Sequence, residues 1–328
     1  MNLVQEEVGC SQKEMKSKPY TAKILLFGEY GIIKDAMGLS IPYDFYRGAL
    51  VYKDAKMSEE KSREADASSA ALGEYCRWIE ENKDSLTARI DTSSMMEDIE
   101  KGLYFDSSIP LGYGVGSSGA VVAAIYDRYA INPISSSDIS SQDIIRLKGI
   151  LGEMEGYFHG KSSGLDPLIC YLNLPILIRS SSEIDTVGIP SSSDDGRGAI
   201  FLLDTGIKHS TGALIDVFFE KMKNEGFRRM IREEFTALSD ACIDAFLSSR
   251  NASLMENVRK LSRVVYEHFS PMIPSTMKKL WKKGLETDAY YLKLCGAGGG
   301  GFMLGFTEDF GKTSQMLEGY NIQPIYRF

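Results

Sequence analysis

A glycine-rich stretch at residues 110–120, PLGYGVGSSGA, contains residue types whose spacing could serve ligand chemistry. Gly114, Gly116 and Gly119 follow the G-x-G-x-x-G spacing of a dinucleotide-binding loop. That interpretation needs an apolar strand directly before the glycines and an acidic residue after a second strand, about 20 positions later. The preceding YFDSSIP does not read as an apolar strand, and Asp138 lies in the polar loop SSSDISS. The dinucleotide interpretation is therefore weak, and the lack of a lysine after the glycines excludes the Walker pattern.

The same stretch fits a glycine-rich turn that leads into a helix N-terminus. Free backbone N–H groups and the positive end of the helix dipole attract anions there, and glycine lets the backbone approach a phosphate closely. A serine hydroxyl in such a loop can also ligate Mg²⁺. The simpler alternative is that Ser117 or Ser118 only caps the helix after a tight turn. The stretch by itself leaves both interpretations open.

The segment EGYFHGKSSGLDPL, residues 155–168, contains two carboxylates that matter for phosphate chemistry if both face one site. Each also has a structural explanation. Asp166 followed by Pro167 matches a helix N-cap and a first helical residue, and Glu155 fits a solvated charge at the edge of a helix. His159 follows Glu155 by one helical turn, and a histidine there is more often a hydrogen-bonding loop residue than a metal ligand.

Two further stretches combine glycines or charges with apolar strands. KLCGAGGGGFMLG, residues 293–305, has more glycines than a turn needs, which indicates close approach of a ligand to the backbone. The flanking apolar strands argue against a flexible linker. AKILLFGEY, residues 22–30, places Lys23 and Glu29 at the two ends of an apolar strand. Charges at strand ends are usually solvated, so this pair alone predicts no site.

Helices and strands must hold these four stretches in place. Apolar residues spaced by three and four predict a helix before the HGKSSGLDP loop, with a face formed by Ile144, Leu147, Leu151, Met154 and Phe158. Similar spacing predicts several helices in the second half of the chain, and LPILIR, AIFLLDT, YYLKLC and FMLGF read as strands. The irregular alternation of helices and strands favours an α+β fold. The polar SSSDDGRG, residues 191–198, is the predicted domain boundary.

The composition limits the class of protein. A chain of 328 residues predicts two domains, and 43% hydrophobic with 25% charged residues is typical of a soluble globular protein. The formal net charge of −8 argues against a nucleic-acid partner. Five scattered cysteines and three histidines predict neither a disulfide framework nor a zinc site. No apolar run is long enough for a membrane span and the first residues do not resemble a secretory signal, so we expect a cytoplasmic protein without a membrane partner.

In this order and spacing, the four stretches resemble the GHMP kinase family over nearly the whole chain. EGYFHGKSSGLDP, DTGIKHSTGAL and KLCGAGGGG are most similar to the mevalonate kinase branch of that family. The resemblance implies a two-domain α+β fold, with an N-terminal domain like ribosomal protein S5 domain 2 and a ferredoxin-like C-terminal α/β sandwich. It implies three parts: a polar extension (1–19), an N-terminal ATP-binding domain (20–195) and a C-terminal domain (196–328).

The resemblance also implies roles for individual residues. Asp166 would be the catalytic aspartate, with Lys23 beside it, and Ser118 and Glu155 would ligate Mg²⁺. The ATP phosphates would lie against the glycine loop, at Gly112, Gly114, Val115, Gly116, Ser117, Ser118 and Gly119. The acceptor substrate would meet a third set, formed by Glu29, Tyr30, His159, Thr211, Gly296, Ala297 and Gly298.

Together these roles imply a kinase that uses ATP and Mg²⁺ to phosphorylate the primary hydroxyl of a small molecule. Mevalonate, or a similar hydroxy acid, phosphorylated at the 5-hydroxyl in isoprenoid biosynthesis, is the acceptor that the resemblance favours. The alternatives are another GHMP kinase, acting on phosphomevalonate or a sugar, and a non-catalytic ligand-binding protein with the same fold. A homodimer is compatible with the family.

Four departures from the family pattern bear on these expectations. Ser162 and Ser163 replace a Pro-Ser pair. Thr21 and Ala22 replace a Pro-Gly pair before the lysine. Gly119 replaces the alanine after the two serines, a change that we expect to be harmless apart from a looser helix start. Tyr30 stands where the mevalonate enzymes usually have histidine, at a position near the substrate. The tyrosine leaves the identity of the acceptor open.

Overall fold

The structure is a computed structural model that describes residues 18–32, 36–180, 182–208 and 212–328. Its strands form two antiparallel sheets, one from each half of the chain. Helices pack against both sheets: the helix Leu165–Leu172 packs on the strand Tyr20–Phe27, and the helix Asn251–His268 packs on the strand Tyr291–Leu294. The predicted α+β fold is therefore confirmed.

The first sheet has five antiparallel strands in the order β1-β2-β4-β5, and β3 pairs with the last residues of the long β2. The strands are β1 (Tyr20–Phe27), β2 (Gly38–Tyr52), β3 (Leu103–Ser107), β4 (Ile176–Ser180) and β5 (Glu183–Thr186). The helices of this half are α1 (Glu59–Glu81), α2 (Thr92–Glu100), α3 (Ser117–Tyr129), α4 (Ser141–His159) and α5 (Leu165–Leu172).

The second sheet has four antiparallel strands in the order β7-β8-β6-β9. They are β6 (Ala199–Asp204), β7 (Tyr291–Leu294), β8 (Phe302–Thr307) and β9 (Ile322–Arg327). The helices are α6 (Gly212–Lys221), α7 (Glu225–Met230), α8 (Thr236–Leu247), α9 (Asn251–His268), α10 (Lys278–Thr287) and α11 (Phe310–Met316), with a π-helical turn, Ile231–Phe235, between α7 and α8.

The predicted boundary at residues 191–198 lies in the connection between the two sheets, after β5 and before β6. As a domain boundary it stays a prediction. Among the residues that the structure describes, no helix has both the length and the apolar composition needed to cross a membrane.

The predicted apolar face of α4 is confirmed for four of its five residues. Ile144, Leu147, Leu151 and Met154 are buried where α4 packs against α3 and α5, whereas Phe158 is exposed near the end of the helix. The core behind the glycine loop thus includes one face of α4. That packing holds the rest of the helix in position beside the loop.

Strand β3 corrects our interpretation of the residues before the glycine loop. Leu103, Tyr104 and Phe105 are buried and pair with β2, although the polar Asp106 and Ser107 follow them. A strand therefore does precede the glycines. Its sheet is antiparallel, however, whereas the dinucleotide-binding fold is built on a mostly parallel sheet, so the dinucleotide interpretation still fails.

Candidate functional site

The glycine loop, defined here as residues 112–116, leads directly into α3. Gly112, Gly114 and Gly116 have positive φ angles of 79°, 74° and 84°, a region that favours glycine. Gly116 is the N-cap of α3, so Ser117 and Ser118 are its first two residues. The alternative that one of these serines caps the helix is therefore wrong. The loop and the unpaired N–H groups of a first helical turn form a surface that suits an anion.

Lys23 connects the glycine loop to Asp166. Its backbone N–H donates to the carbonyl of Val115 (3.0 Å), and its Nζ lies 2.9 Å from Asp166 Oδ1. The lysine side chain passes so close to Gly116 that a Cβ atom there would lie 2.9 Å from Lys23 Cγ. The side chain of Lys23 is 6% exposed and that of Asp166 37%, so the ammonium is buried while the carboxylate reaches the surface of a cavity.

The ionisation of Lys23 follows from these contacts. Burial alone would lower the pKa of its ammonium group, but the charge of Asp166 and the hydrogen bond to it raise that pKa above the ordinary value. Lys23 therefore stays positively charged at neutral pH. The expectation that this charge is solvated at a strand end is wrong.

Asp166 lies in the first turn of α5 and is not its N-cap. The helix begins at Leu165 and is capped by Gly164, which has a φ of 73°. The first turn of α5 touches the first turn of α3: a Cβ atom on Gly119 would lie 2.8 Å from the backbone of Asp166 and Pro167. Gly119 is thus required by the packing of two helices, which corrects our expectation that it is a neutral replacement for alanine.

Glu155 is buried on α4 and is held by serines from two directions. Its carboxylate accepts hydrogen bonds from Ser118 Oγ (2.9 Å) and from Ser162 Oγ. Ser118 Oγ also lies 3.1 Å from Nε2 of His159. Burial and the negative charge of Asp166 raise the pKa of Glu155 to about 7, although both serine hydrogen bonds lower it. The alternative that Glu155 is a solvated edge charge is wrong.

The second glycine cluster, residues 296–301, packs against the glycine loop. Gly301 has a φ of 63°, and a Cβ atom on it would lie 2.7 Å from Tyr113 Cα. Thr205, directly after β6, fixes this contact because its N–H and its Oγ1 both donate to the Gly301 carbonyl, at 3.0 Å and 2.7 Å. The two glycine motifs therefore form one continuous surface.

A cavity of about 330 Å³ adjoins this surface. Six of the predicted site residues line it: Lys23, Glu29, Tyr30, Asp166, Gly296 and Ala297. Much of the remaining wall is aliphatic, from Leu25, Ile32, Leu165, Ile169, Ile178 and Ile215. A larger groove of about 420 Å³ lies along α9 between charged side chains and contains none of the predicted residues. The cavity beside Asp166 is the candidate acceptor site.

Two predicted substrate residues, His159 and Gly298, are not part of this cavity wall. His159 contacts Ser118, and Gly298 packs on the carbonyl of Met272, to which a Cβ atom on Gly298 would approach within 2.6 Å. Thr211 lies outside the described residues.

Tyr30 lines the cavity, and both its hydroxyl and its ring contact residues of the second half of the chain. The hydroxyl donates to the Ala297 carbonyl (2.7 Å), and the ring stacks on Phe218 with centroids 4.6 Å apart. Tyr30 has a φ of 58°, unusual for a residue other than glycine. It thus joins the segment after β1 to the second glycine cluster, in addition to facing the cavity.

Residues 86–173 match the family model of the GHMP kinases N terminal domain. That segment contains the glycine loop, Ser118, Glu155 and Asp166. This segment is similar to that family model, and the chain as a whole has the fold of solved GHMP kinases. No curated protein matches the chain in sequence.

Solved structures of GHMP kinases have the same fold over nearly the whole chain. The mevalonate kinase of L. major, in complex with R-mevalonate, is 16% identical with a TM-score of 0.59, covering 94% of this chain and 96% of that one. The phosphomevalonate kinase of Streptococcus pneumoniae, in complex with phosphomevalonate and AMPPNP, is 13% identical with a TM-score of 0.59, covering 95% of this chain and 100% of that one. The galactokinase of Lactococcus lactis, in complex with galactose, is 10% identical with a TM-score of 0.57, covering 95% of this chain and 94% of that one.

Two residues of this GHMP kinase fold were not among the predicted site residues. Ser162 holds the Glu155 carboxylate, and Lys293 forms a buried ion pair with Glu29. Both residues lie within stretches that the sequence analysis singled out: Lys293 is the lysine of KLC before the second glycine cluster, and Ser162 is the first serine of HGKSSG. A lysine in an apolar strand is the signal that could have singled out Lys293, because a buried lysine needs a partner.

Proposed function

We propose that this protein is an ATP-dependent kinase that transfers the γ-phosphoryl group of ATP to a hydroxyl of a small molecule. The observation that carries the proposal is the buried Lys23 paired with Asp166 at 2.9 Å, with the carboxylate at the cavity and the glycine loop beside the lysine. Phosphoryl transfer depends mainly on positioning and on charge neutralisation, and these groups supply both.

In the proposed reaction, the acceptor hydroxyl lies in the 330 Å³ cavity next to Asp166. Asp166 orients the hydroxyl and accepts its proton as the oxygen bonds to the γ-phosphorus and the bond to the β-phosphate oxygen breaks. Lys23 balances the charge of Asp166 and stabilises the oxygens of the transferred phosphoryl group. The N–H groups of the glycine loop and the first turn of α3 hold the triphosphate.

Ser118 and Glu155 fit a Mg²⁺ ion. Both offer the hard oxygen ligands that Mg²⁺ prefers, and the buried Glu155 carboxyl has a raised pKa that a nearby cation would lower. In the described ranges, no cluster of three His, Cys, Asp or Glu side chains could hold a metal alone, so phosphate and water oxygens would complete the coordination. When bound, the ion would neutralise charge on the ATP phosphates.

Mevalonate is the first candidate acceptor. The motif resemblance favours it, the L. major enzyme of this fold was solved with R-mevalonate, and aliphatic walls suit its methyl and methylene groups. Phosphomevalonate and galactose are the second candidates, because structures of this fold were solved with them. Tyr30, in place of the family histidine, is the residue on which the choice depends.

A coupled assay of ADP release with separate acceptors tests this proposal. The panel contains mevalonate, phosphomevalonate, galactose and homoserine, each with ATP and Mg²⁺, and mass spectrometry identifies the phosphorylated product. We expect turnover with mevalonate to exceed that with the other acceptors. Faster turnover of another acceptor would overturn the substrate assignment, and ATP binding without turnover of any acceptor would favour a non-catalytic binding protein.

A further inference from the structure

A second buried pair of lysine and carboxylate adjoins the cavity, because its carboxylate, Glu29, lines the cavity together with Asp166. Lys293 on β7 pairs with Glu29, which follows β1, and their side chains are only 2% and 6% exposed. The pair joins the two sheets. The cavity therefore has two carboxylates on its wall and a buried lysine for each of them.

Lys293 is held on three sides. Besides its bond to Glu29, its Nζ donates to the Leu294 carbonyl (2.9 Å) and lies 5.5 Å from the centre of the Phe27 ring. The neighbouring hydrogen bond from Tyr30 to Ala297 joins the same two segments. The position of the Glu29 carboxylate at the cavity is thus set by a group that reaches it from the second sheet.

The charges around the two pairs explain why each carboxylate needs its own lysine. Burial raises the pKa of the Glu29 carboxyl above its ordinary value, and Lys293 opposes that rise more strongly than Lys23 does. Among the residues that the structure describes, the other titratable groups that act on these pairs are Tyr30, Cys242, Cys295, Cys170 and Glu155, none of them cationic. Without Lys293, the cation that still acts on Glu29 is Lys23, which lines the same cavity.

We infer that Lys293 is a positioning residue: it neutralises Glu29 and so keeps Lys23 committed to Asp166. The inference rests on the proposed kinase function for its effect on turnover. Its electrostatic part, the one-to-one pairing of two lysines with two carboxylates, is independent of the reaction.

The test uses Lys293→Met, Glu29→Gln and the double variant in the full-length protein. Lys293→Met leaves Glu29 to compete for Lys23, and we expect kcat to fall about 100-fold, the size of effect that a small misplacement of a reacting group causes. Adding Glu29→Gln removes the competitor, so the kcat of the double variant should return to within about threefold of the kcat of Glu29→Gln alone. The KM for the acceptor should stay above the wild-type value in both variants, because Glu29 lines the cavity. A double variant as slow as Lys293→Met would overturn the inference.

A spectroscopic arm keeps the test independent of catalysis and of the acceptor. NMR of ¹⁵N-lysine-labelled protein reports the Nζ resonance of Lys23, assigned with Lys23→Arg. We expect it to shift in Lys293→Met and to return towards the wild-type position in the double variant; an unchanged resonance in Lys293→Met would contradict the inference. Lys282→Met, which removes an exposed partner of Glu286, is the matched control and should leave both readouts unchanged.

If wild-type protein turns over no acceptor, the proposed function fails, and the resonance of Lys23 still decides the pairing. If Lys293→Met does not fold, the double variant, which buries no unpaired charge, supplies the comparison with Glu29→Gln alone. Equal Lys23 resonances in those two variants are expected. A difference between them would show that Lys293 acts on Lys23 by a route other than Glu29.

Discussion

At the scale of single residues, the protonation of Glu155 can be tested most directly. Its carboxyl is buried, and its pKa of about 7 lies above the ordinary value of 4.5 because burial and Asp166 disfavour the charge. The folded protein therefore holds this proton to a higher pH than the unfolded chain does. The contribution of Glu155 to the stability of the protein is therefore greatest below pH 4.5 and falls as the pH rises towards 7.

We expect Glu155→Gln to remove this pH dependence. Since one pKa unit corresponds to about 1.4 kcal/mol, the free energy of unfolding of the wild type should fall by at most about 3 kcal/mol, relative to the variant, between pH 4.5 and 7. Urea unfolding at several pH values, without metal or nucleotide, measures the difference. Glu153→Gln, an exposed position on the same helix, should keep the wild-type profile; parallel curves for the wild type and Glu155→Gln would contradict the account.

At the scale of elements, the contact between α3 and α5 positions the proposed reacting groups. Ser118 begins one helix, Asp166 begins the other, and Gly119 is where the two helices touch. Because α3 has no room for a Cβ atom at that point, a larger residue must push one helix away from the other. The distance between the proposed metal ligand and the proposed base depends on this one glycine.

Gly119→Ala tests that dependence. The added methyl group should destabilise the protein by about 1–3 kcal/mol, as overpacking typically does, and should lower turnover because the two helix starts separate. Gly149→Ala is the matched control, since Gly149 is also a glycine within a helix but a Cβ atom there meets nothing within 4 Å. The control should be as stable as the wild type or slightly more stable. Equal stability and turnover of the two variants would show that the helices adjust without cost.

The elements also show what could be predicted from the sequence and what could not. The helix α4 was predictable because its buried face repeats within a few residues, which is a local signal. The strand β3 was missed because the polar Asp106 and Ser107 follow its three buried apolar residues and make the segment look like a loop. In the structure, the Asp106 carboxylate accepts a hydrogen bond from Lys61 of α1 at 2.6 Å. The start of α5 was predicted two residues late because Gly164, not Asp166, caps it.

At the scale of the whole molecule, the candidate site draws on both sheets. The first sheet and its helices provide Lys23, Asp166 and the glycine loop, and the second provides the glycine cluster that packs on Tyr113. That the motifs meet was implied by their resemblance to the GHMP kinase family, since each motif taken alone left its role open. The ion pair between Glu29 and Lys293 was not predictable, because its partners are 264 positions apart and neither has a local pattern that identifies the other.

The most direct test of the central claim compares the wild type with Asp166→Asn under saturating ATP, Mg²⁺ and the best acceptor of the panel. The account predicts that kcat falls by about 100- to 10,000-fold, the usual range for loss of a general base, because asparagine cannot accept the proton. The Kd for ATP, measured by calorimetry, should stay within about threefold of the wild-type value, because the proposed triphosphate site is the glycine loop and not Asp166. Turnover near the wild-type rate in Asp166→Asn would contradict the claim that Asp166 is the catalytic residue of this site.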